Sequence, residues 1–310
     1  DNDNIASNGV TLKSDGIGLA GLGIAHNGAL PTIITSGSPS AGQVKIESTG
    51  AFGGVLSLDY GYYSQDLNLS TIGAGNWWLG GSLSAETYYF NDTLGANSNG
   101  RYQIGGGGNQ SSLNFGSVSV GNANSRTPLF EGLFSGGSAN TVRVEIGALT
   151  ADLFANGPSY VNGNIGAVFL PTRNLGLVGD VRINTNSTVN IGNNFALGSG
   201  RLVMNGGNLS YTVGPNNYLT TSITLDNNVF IQGDWSTSGG NDLVLNGNVA
   251  MDDGTAGATR IWNLTGTGAM AVGLTAQSTA NGVISGLDGS NLIKRGAQQV
   301  AFRGANSYQG

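Results

Sequence analysis

The chain has 310 residues and a formal net charge of −6, from 12 basic and 18 acidic side chains, and it contains no cysteine. Only 10% of its residues are charged, against about 25% in ordinary domains, and no basic run stands anywhere, so neither a nucleic-acid-binding patch nor a solvated acidic tail is written here; disulfide stapling and zinc sites of the cysteine type are excluded as well. Glycine supplies 54 residues and asparagine 36, both good in turns and poor in helix interiors, so the composition predicts many short strands joined by many turns.

The opening "DNDNIASNGV" is polar and acidic and lacks the basic and apolar regions of a secretory leader, which implies a leader already removed or an excised piece. No run of about 18 apolar residues occurs, so no transmembrane helix is expected. The single histidine, His26 in "GIAHNGAL", is the one side chain able to serve as a base near neutral pH; set among small residues, it reads as a turn or surface residue. "LPTIITSGSPSAG" at 30–42 is the best linker candidate and is equally compatible with a long loop. "QVKIES", "GVLSLDY" and "DLNLS" then alternate apolar and polar residues and end on turn formers, the pattern of half-buried strands.

Aromatic residues crowd the next stretch: Tyr60, Tyr62, Tyr63, Trp77, Trp78, Tyr88, Tyr89 and Phe90. Such a cluster either seals a core or forms an exposed ledge for glycans or another subunit. In a regular strand Trp77 and Trp78 cannot both face inward, which leaves one indole for a contact surface. "IGGGGNQ" at 104–110 is rich in glycine but lacks the lysine and helix that a phosphate loop needs. "SLNFG", "SVSVG" and "TVRVEIG" add three alternating strands, with Val142, Val144 and Ile146 on one face. These signals divide the chain into residues 1–100, less regular all-β and a possible cap, and residues 101–310, a run of β-helix coils.

From Asp180 onward short apolar-x-apolar units recur. One series begins at Val181, Leu202, Ile223, Leu243 and Trp262; the other at Val189, Leu209, Val229, Val249 and Met270. Both advance by about 20 residues. A unit of four or five residues cannot bury its apolar face alone, but stacking at the strand spacing of about 4.8 Å buries a continuous column. The expected fold is therefore all-β, a parallel β-helix with about 20 residues per coil, in which Leu209, Val229 and Val249 share one buried pillar. Asn208, Asn228 and Asn248 share the same step and are expected to stack as an amide ladder.

Chemistry has few candidates. Asp234 and Asp253 would lie on neighbouring coils, with Trp235 as a sugar-stacking face, the nearest approach to a glycoside-cleaving pair; the plain alternative places both acids in polar turns. The acidic turns at 1–3, 252–254 and 287–289 do not repeat with the pattern of calcium-binding rolls. No residue is assigned a catalytic, cofactor-binding or metal-binding role, and no enzyme activity or cofactor is expected.

The closing stretch, "ISGLDGSNLIKRGAQQVAFRGANSYQG", resembles the autotransporter-associated β-strand repeat family. The matching positions are Gly286, Leu292, Lys294, Gly296, Val300, Phe302, Gly304, Asn306, Tyr308 and Gly310; Gln298 and Gln299 depart from the small or Thr residues usual there. The resemblance covers residues 284–310. It implies a secreted passenger region of a large bacterial surface protein, folded as a right-handed parallel β-helix and serving structure, adhesion or aggregation. The expected partner is a second copy, end to end or laterally, or a host or glycan surface, and no nucleic acid. The alternatives are a carbohydrate-active β-helix and a glycan-binding adhesin.

Overall fold

A computed structural model describes residues 9–14, 21–24, 32–34, 36–48, 55–58, 61–63, 66–72, 75, 77–81, 86–89, 94–105, 112–115, 133–147, 167–211, 222–251, 256–273, 282–287, 289–304 and 306. Strands and turns make up nearly all of them, as expected of an all-β chain. Before residue 150 these are β1 (Val10–Ser14), β2 (Gly21–Ile24), β3 (Thr32–Ile34), β4 (Gln43–Ser48), β5 (Val55–Leu58), β6 (Gly61–Tyr63), β7 (Trp78–Gly81), β8 (Glu86–Tyr89), β9 (Tyr102–Ile104), β10 (Ser112–Phe115) and β11 (Val142–Ile146). There follow β12 (Ala167–Leu170), β13 (Asp180–Asn184), β14 (Thr188–Ile191), β15 (Leu202–Asn205) and β16 (Asn208–Ser210). The last third holds β17 (Ser222–Leu225), β18 (Val229–Ile231), β19 (Trp235–Ser238), β20 (Asp242–Leu245), β21 (Val249–Met251), β22 (Thr259–Leu264), β23 (Met270–Val272), β24 (Ile284–Gly286), β25 (Asn291–Arg295) and β26 (Val300–Phe302).

These strands pair in parallel throughout and form four sheets. The longest runs β2-β5-β7-β9-β11-β13-β15-β18-β21-β24; the second runs β6-β8-β10-β12-β14-β16-β19-β22-β25. A four-stranded sheet, β17-β20-β23-β26, accompanies the last third, and a three-stranded sheet, β1-β4-β3, stands near the start of the chain. From β4 onward consecutive strands in the chain enter different sheets, so each of the longer sheets collects one strand from each successive stretch. The ten-stranded sheet passes residue 100 without interruption, β7 pairing with β9 and β9 with β11.

The register differs from a uniform step of 20. Val181 lies beside Leu202 and Val229 beside Val249, steps of 21 and 20. Leu202, however, pairs with Val229 rather than Ile223, and Val249 with Ile284 rather than Met270. Leu209 belongs to the nine-stranded sheet, between Val189 and Thr237. The expected pillar of Leu209, Val229 and Val249 is therefore split: the two valines share a column, and Leu209 stands in another wall. The cause is β17, a third strand entering each repeat. An apolar-x-apolar unit looks alike in every wall, so its sequence does not say which sheet it joins.

Apolar burial holds the layers together. Tyr102, Val144, Val181, Leu202, Val229, Val249 and Ile284 stand in register in seven successive strands of the ten-stranded sheet and are buried. Each such side chain contributes about 1.5–3 kcal/mol on leaving water. In the nine-stranded sheet Trp235 and Trp262 are paired and stack face to face, ring centroids 4.5 Å apart and planes inclined by 15°.

Turn asparagines and aspartates tie layer to layer by accepting a backbone N–H from the next stretch. Asn228 Oδ1 accepts from Asn248 N at 2.9 Å, and Asn248 Oδ1 from Val283 N at 3.2 Å. Asp234 Oδ1 accepts from Ile261 N at 2.8 Å and Asp242 Oδ1 from Ala269 N at 2.7 Å. Asn228 and Asn248 thus stand on adjacent layers but are joined by a side-chain-to-backbone bond rather than amide to amide, and Asn208 leaves the expected ladder, sitting in β16 opposite Ser236 and donating to Ser238 Oγ at 3.1 Å. An amide-to-amide contact instead joins Asn205 Nδ2 to Asn184 Oδ1 at 3.0 Å.

Candidate functional site

Asp234 and Trp235, the described members of the proposed sugar site, are both engaged in contacts within the fold. Asp234 spends its carboxylate on the amide of Ile261, because it occupies the turn that hands the chain from β18 to β19. Trp235, next to it, is 2% exposed and packed on Trp262, so its face is closed to a sugar. Asp253 lies outside the described residues, as do His26, Tyr60 and Phe90. Trp77 and Trp78 are both buried. Trp77 precedes β7 rather than alternating within it, which is how two adjacent indoles both leave the surface. The side chains of Tyr62, Tyr63, Tyr88 and Tyr89 lie outside the described set, as do residues 1–3, 106–110, 252–254 and Asp288. Among the described residues no group of three or more His, Cys, Asp or Glu side chains stands close enough to hold a metal ion, and no helix is long and apolar enough to cross a membrane.

The strongest electrostatic feature went unread in the sequence. Glu145 in β11 and Asp180 in β13 have side chains only 1% exposed. Arg101 Nη1 approaches Glu145 Oε2 at 3.3 Å, and Arg182 Nη1 approaches Glu145 Oε1 at 3.9 Å. Arg201 grips Asp180, with Nη2 at 2.7 Å and Nε at 3.1 Å from Oδ2, while its own backbone N–H donates to Oδ1 at 2.9 Å. Arg143 lies over the Tyr102 ring at 4.7 Å, donates Nε–H to Ser135 O at 2.8 Å, and donates Nη1–H to Gly100 O. These arginines belong to successive layers of one sheet, and their hydrogen bonds end on neighbouring layers of the same chain. A buried carboxylate left without them would carry an uncompensated charge, a loss of about 3–5 kcal/mol. The cluster therefore clamps layers. The signal for it was the recurrence of Arg and acidic residues on strands already identified, with no local motif to mark it.

The terminal layer is different in kind. β25 and β26 are the last strands of their sheets. In β25, Lys294 pairs with Trp262 and so continues the Trp235–Trp262 column, placing an ammonium where a core ring stood one layer before. Its Nζ donates to Gly296 O at 2.6 Å. In β26, Phe302 continues the column of Leu225, Leu245 and Val272, yet it is 44% exposed where those three are buried. Ile293 is also exposed, while Leu292 and Val300 are half-covered by the core. Asn306 Oδ1 accepts from Ile284 N at 3.1 Å, so the chain has begun to cover β24 but leaves β25 and β26 open among the described residues. Among the described residues this layer presents two strand edges and three cations, Lys294, Arg295 and Arg303. From Gly289 to Gly310 the sequence has no acidic residue.

No protein-family model, no curated protein and no solved structure matches the chain.

Proposed function

We propose that the parallel sheets are the walls of a right-handed parallel β-helix whose coils gain a third strand near β17, and that the protein is a structural or adhesive element of a bacterial surface, secreted and displayed outside the cell. The observation that carries the reading is the in-register stacking of β9, β11, β13, β15, β18, β21 and β24 over one buried apolar column. A stack of this kind grows by adding layers and needs no catalytic centre for its role. The resemblance of residues 284–310 to the autotransporter-associated repeat points the same way. In that stretch Leu292 and Lys294 fall in β25, Val300 and Phe302 in β26, and Gly296 takes φ +83° at the turn between them.

The carbohydrate-active alternative draws no support from Asp234 and Trp235, whose groups are taken up in packing. The test is topological. On intact cells of the bacterium that makes the chain, an antibody raised against it labels the outside, and added protease removes the label. Labelling only after lysis would overturn the reading.

A further inference from the structure

The sequence holds eight Asn–Gly pairs, and three of them, Asn99–Gly100, Asn205–Gly206 and Asn246–Gly247, lie wholly among the described residues. In such a pair the glycine nitrogen, with no side chain beside it, can attack the asparagine Cγ. The fold holds the three pairs differently. Asn246 is 9% exposed; its Nδ2 donates to Asp226 Oδ1 in the preceding layer at 2.6 Å, and a Cβ on Gly247 would come within 2.1 Å of Asn227 O. Asn205 Nδ2 is held by Asn184 Oδ1, and Gly206 packs on Thr185. Asn99 is exposed, and among the described residues no hydrogen bond reaches its side chain. It stands at the tip of the turn that leads the chain into β9. Asn97 builds that turn: its Oδ1 accepts from Asn99 N at 3.0 Å and Arg101 N at 2.8 Å, its backbone N–H donates to Arg101 O at 2.7 Å, and its carbonyl accepts from Gly100 N at 2.9 Å.

We propose that Asn99 is a modification site, where the chain deamidates spontaneously in water, and that the isoaspartyl product loosens the grip of Arg101 on Glu145. Gly100 N bonds to Asn99 Cγ, the bond from Cγ to the side-chain nitrogen breaks, and that nitrogen leaves as ammonia with the Gly100 proton. The five-membered succinimide is then opened by water. Cleavage at Cγ gives an aspartyl residue, and cleavage at the main-chain carbonyl carbon gives an isoaspartyl one. To react, the turn releases one bond, from Gly100 N to Asn97 O. That is a local opening at an exposed tip, whereas Asn205 and Asn246 need two layers to part. Both products place a carboxylate next to the turn, but the isoaspartyl form alone lengthens the main chain by a carbon atom. The added carbon falls between the two N–H groups that Asn97 Oδ1 holds, beside the Gly100 carbonyl bound by Arg143 Nη1. The displaced turn draws Arg101 off Glu145 Oε2, and the buried carboxylate keeps Arg182 at 3.9 Å and the Asn184 amide at 3.4 Å.

The experiment ages the 310-residue chain in mildly alkaline buffer and follows the peptides carrying Asn99, Asn205 and Asn246 by mass spectrometry, with isoaspartate scored by enzymatic methylation. Asn99 converts at least about tenfold faster than either of the others. In denaturant, where nothing holds any of the three amides, the difference falls below about threefold. No conversion at Asn99, conversion as fast at Asn205 or Asn246, or a preference for Asn99 that persists unchanged in denaturant would overturn the site. Hydrogen exchange then separates the added carbon from the added charge. The purified isoaspartyl form loses protection in β9 by at least about tenfold, while Asn99→Asp, which carries the charge on an unaltered main chain, keeps it. Protection equal to wild type in the isoaspartyl form, or an equal loss in Asn99→Asp, would overturn the link to Arg101. None of these outcomes touches surface display, which the antibody test decides by itself.

Discussion

At the scale of single residues, the most informative contact joins Tyr211 and Gln298, whose side chains lie 87 positions apart in the chain. Tyr211 is fully buried and points along the stack. It has room because Gly239, one layer on, has no side chain: a Cβ there would come within 2.5 Å of the Tyr211 ring. The phenol oxygen then accepts from Gln298 Nε2, which also donates to Gly268 O at 2.8 Å. Tyr211→Phe removes the acceptor without opening a cavity, and the expected loss is about 1 kcal/mol in urea unfolding. Burial pushes the Tyr211 phenol above its ordinary value of 10.0. The unfolded phenol then ionises first, so the stabilisation is complete below about pH 10 and drains away as pH rises through the folded value. The difference between wild type and Tyr211→Phe therefore shrinks at high pH. A difference that stays constant from neutral to strongly alkaline pH would show that the phenol is not buried as described. Neither partner could be paired from the sequence. Tyr211 is the second member of the apolar unit that begins at Leu209, and Gln298 is one of the two residues that depart from the repeat, so a mismatch to the pattern marked a core hydrogen bond.

At the scale of strands and turns, alternation alone identified most of what lies after Asp180. Val181 with Ile183, Val189 with Ile191, Leu202 with Met204 and Leu243 with Leu245 are each a strand with the two apolar residues inward. What alternation did not carry was the assignment of strands to walls. Ile223 and Val229 are separated by a short turn much as Val181 and Val189 are, yet the former pair opens with a new sheet and the latter does not. That choice is set by what each strand meets in the previous layer, a contact between residues 20 to 35 apart that has no local signature. Asp234 illustrates the same point for function. Beside Trp235 it has the residue types of a sugar site, and in three dimensions it is a clamp on Ile261. As a clamp it needs an accepting oxygen at one place and not a titrating group. Asp234→Ala is expected to destabilise by about 1–2 kcal/mol, while Asp234→Asn, which keeps Oδ1, retains at least half of that in thermal unfolding. Equal losses in the two variants would point to a role for the charge itself.

At the scale of the whole molecule, the ten strands of the longest sheet, at about 4.8 Å each, make a stack about 43 Å long. Within the stack each layer touches only its neighbours, and stability should be a sum of local terms rather than one global unit. Trp262 tests this. It is fully buried between Trp235 in one layer and Lys294 in the next, and no other side chain in the last third is larger. Trp262→Ala removes a stacked ring and leaves a void, an expected cost of about 3–5 kcal/mol. If layers communicate only with their neighbours, hydrogen exchange in the variant speeds up in β19, β22 and β25, while Val181 and Ile183 in β13 keep their protection. Their distance from the void is several layers, and the Glu145 and Asp180 ion pairs lie on their side of it. Equal loss of protection in β13 would show that the sheets melt as one body.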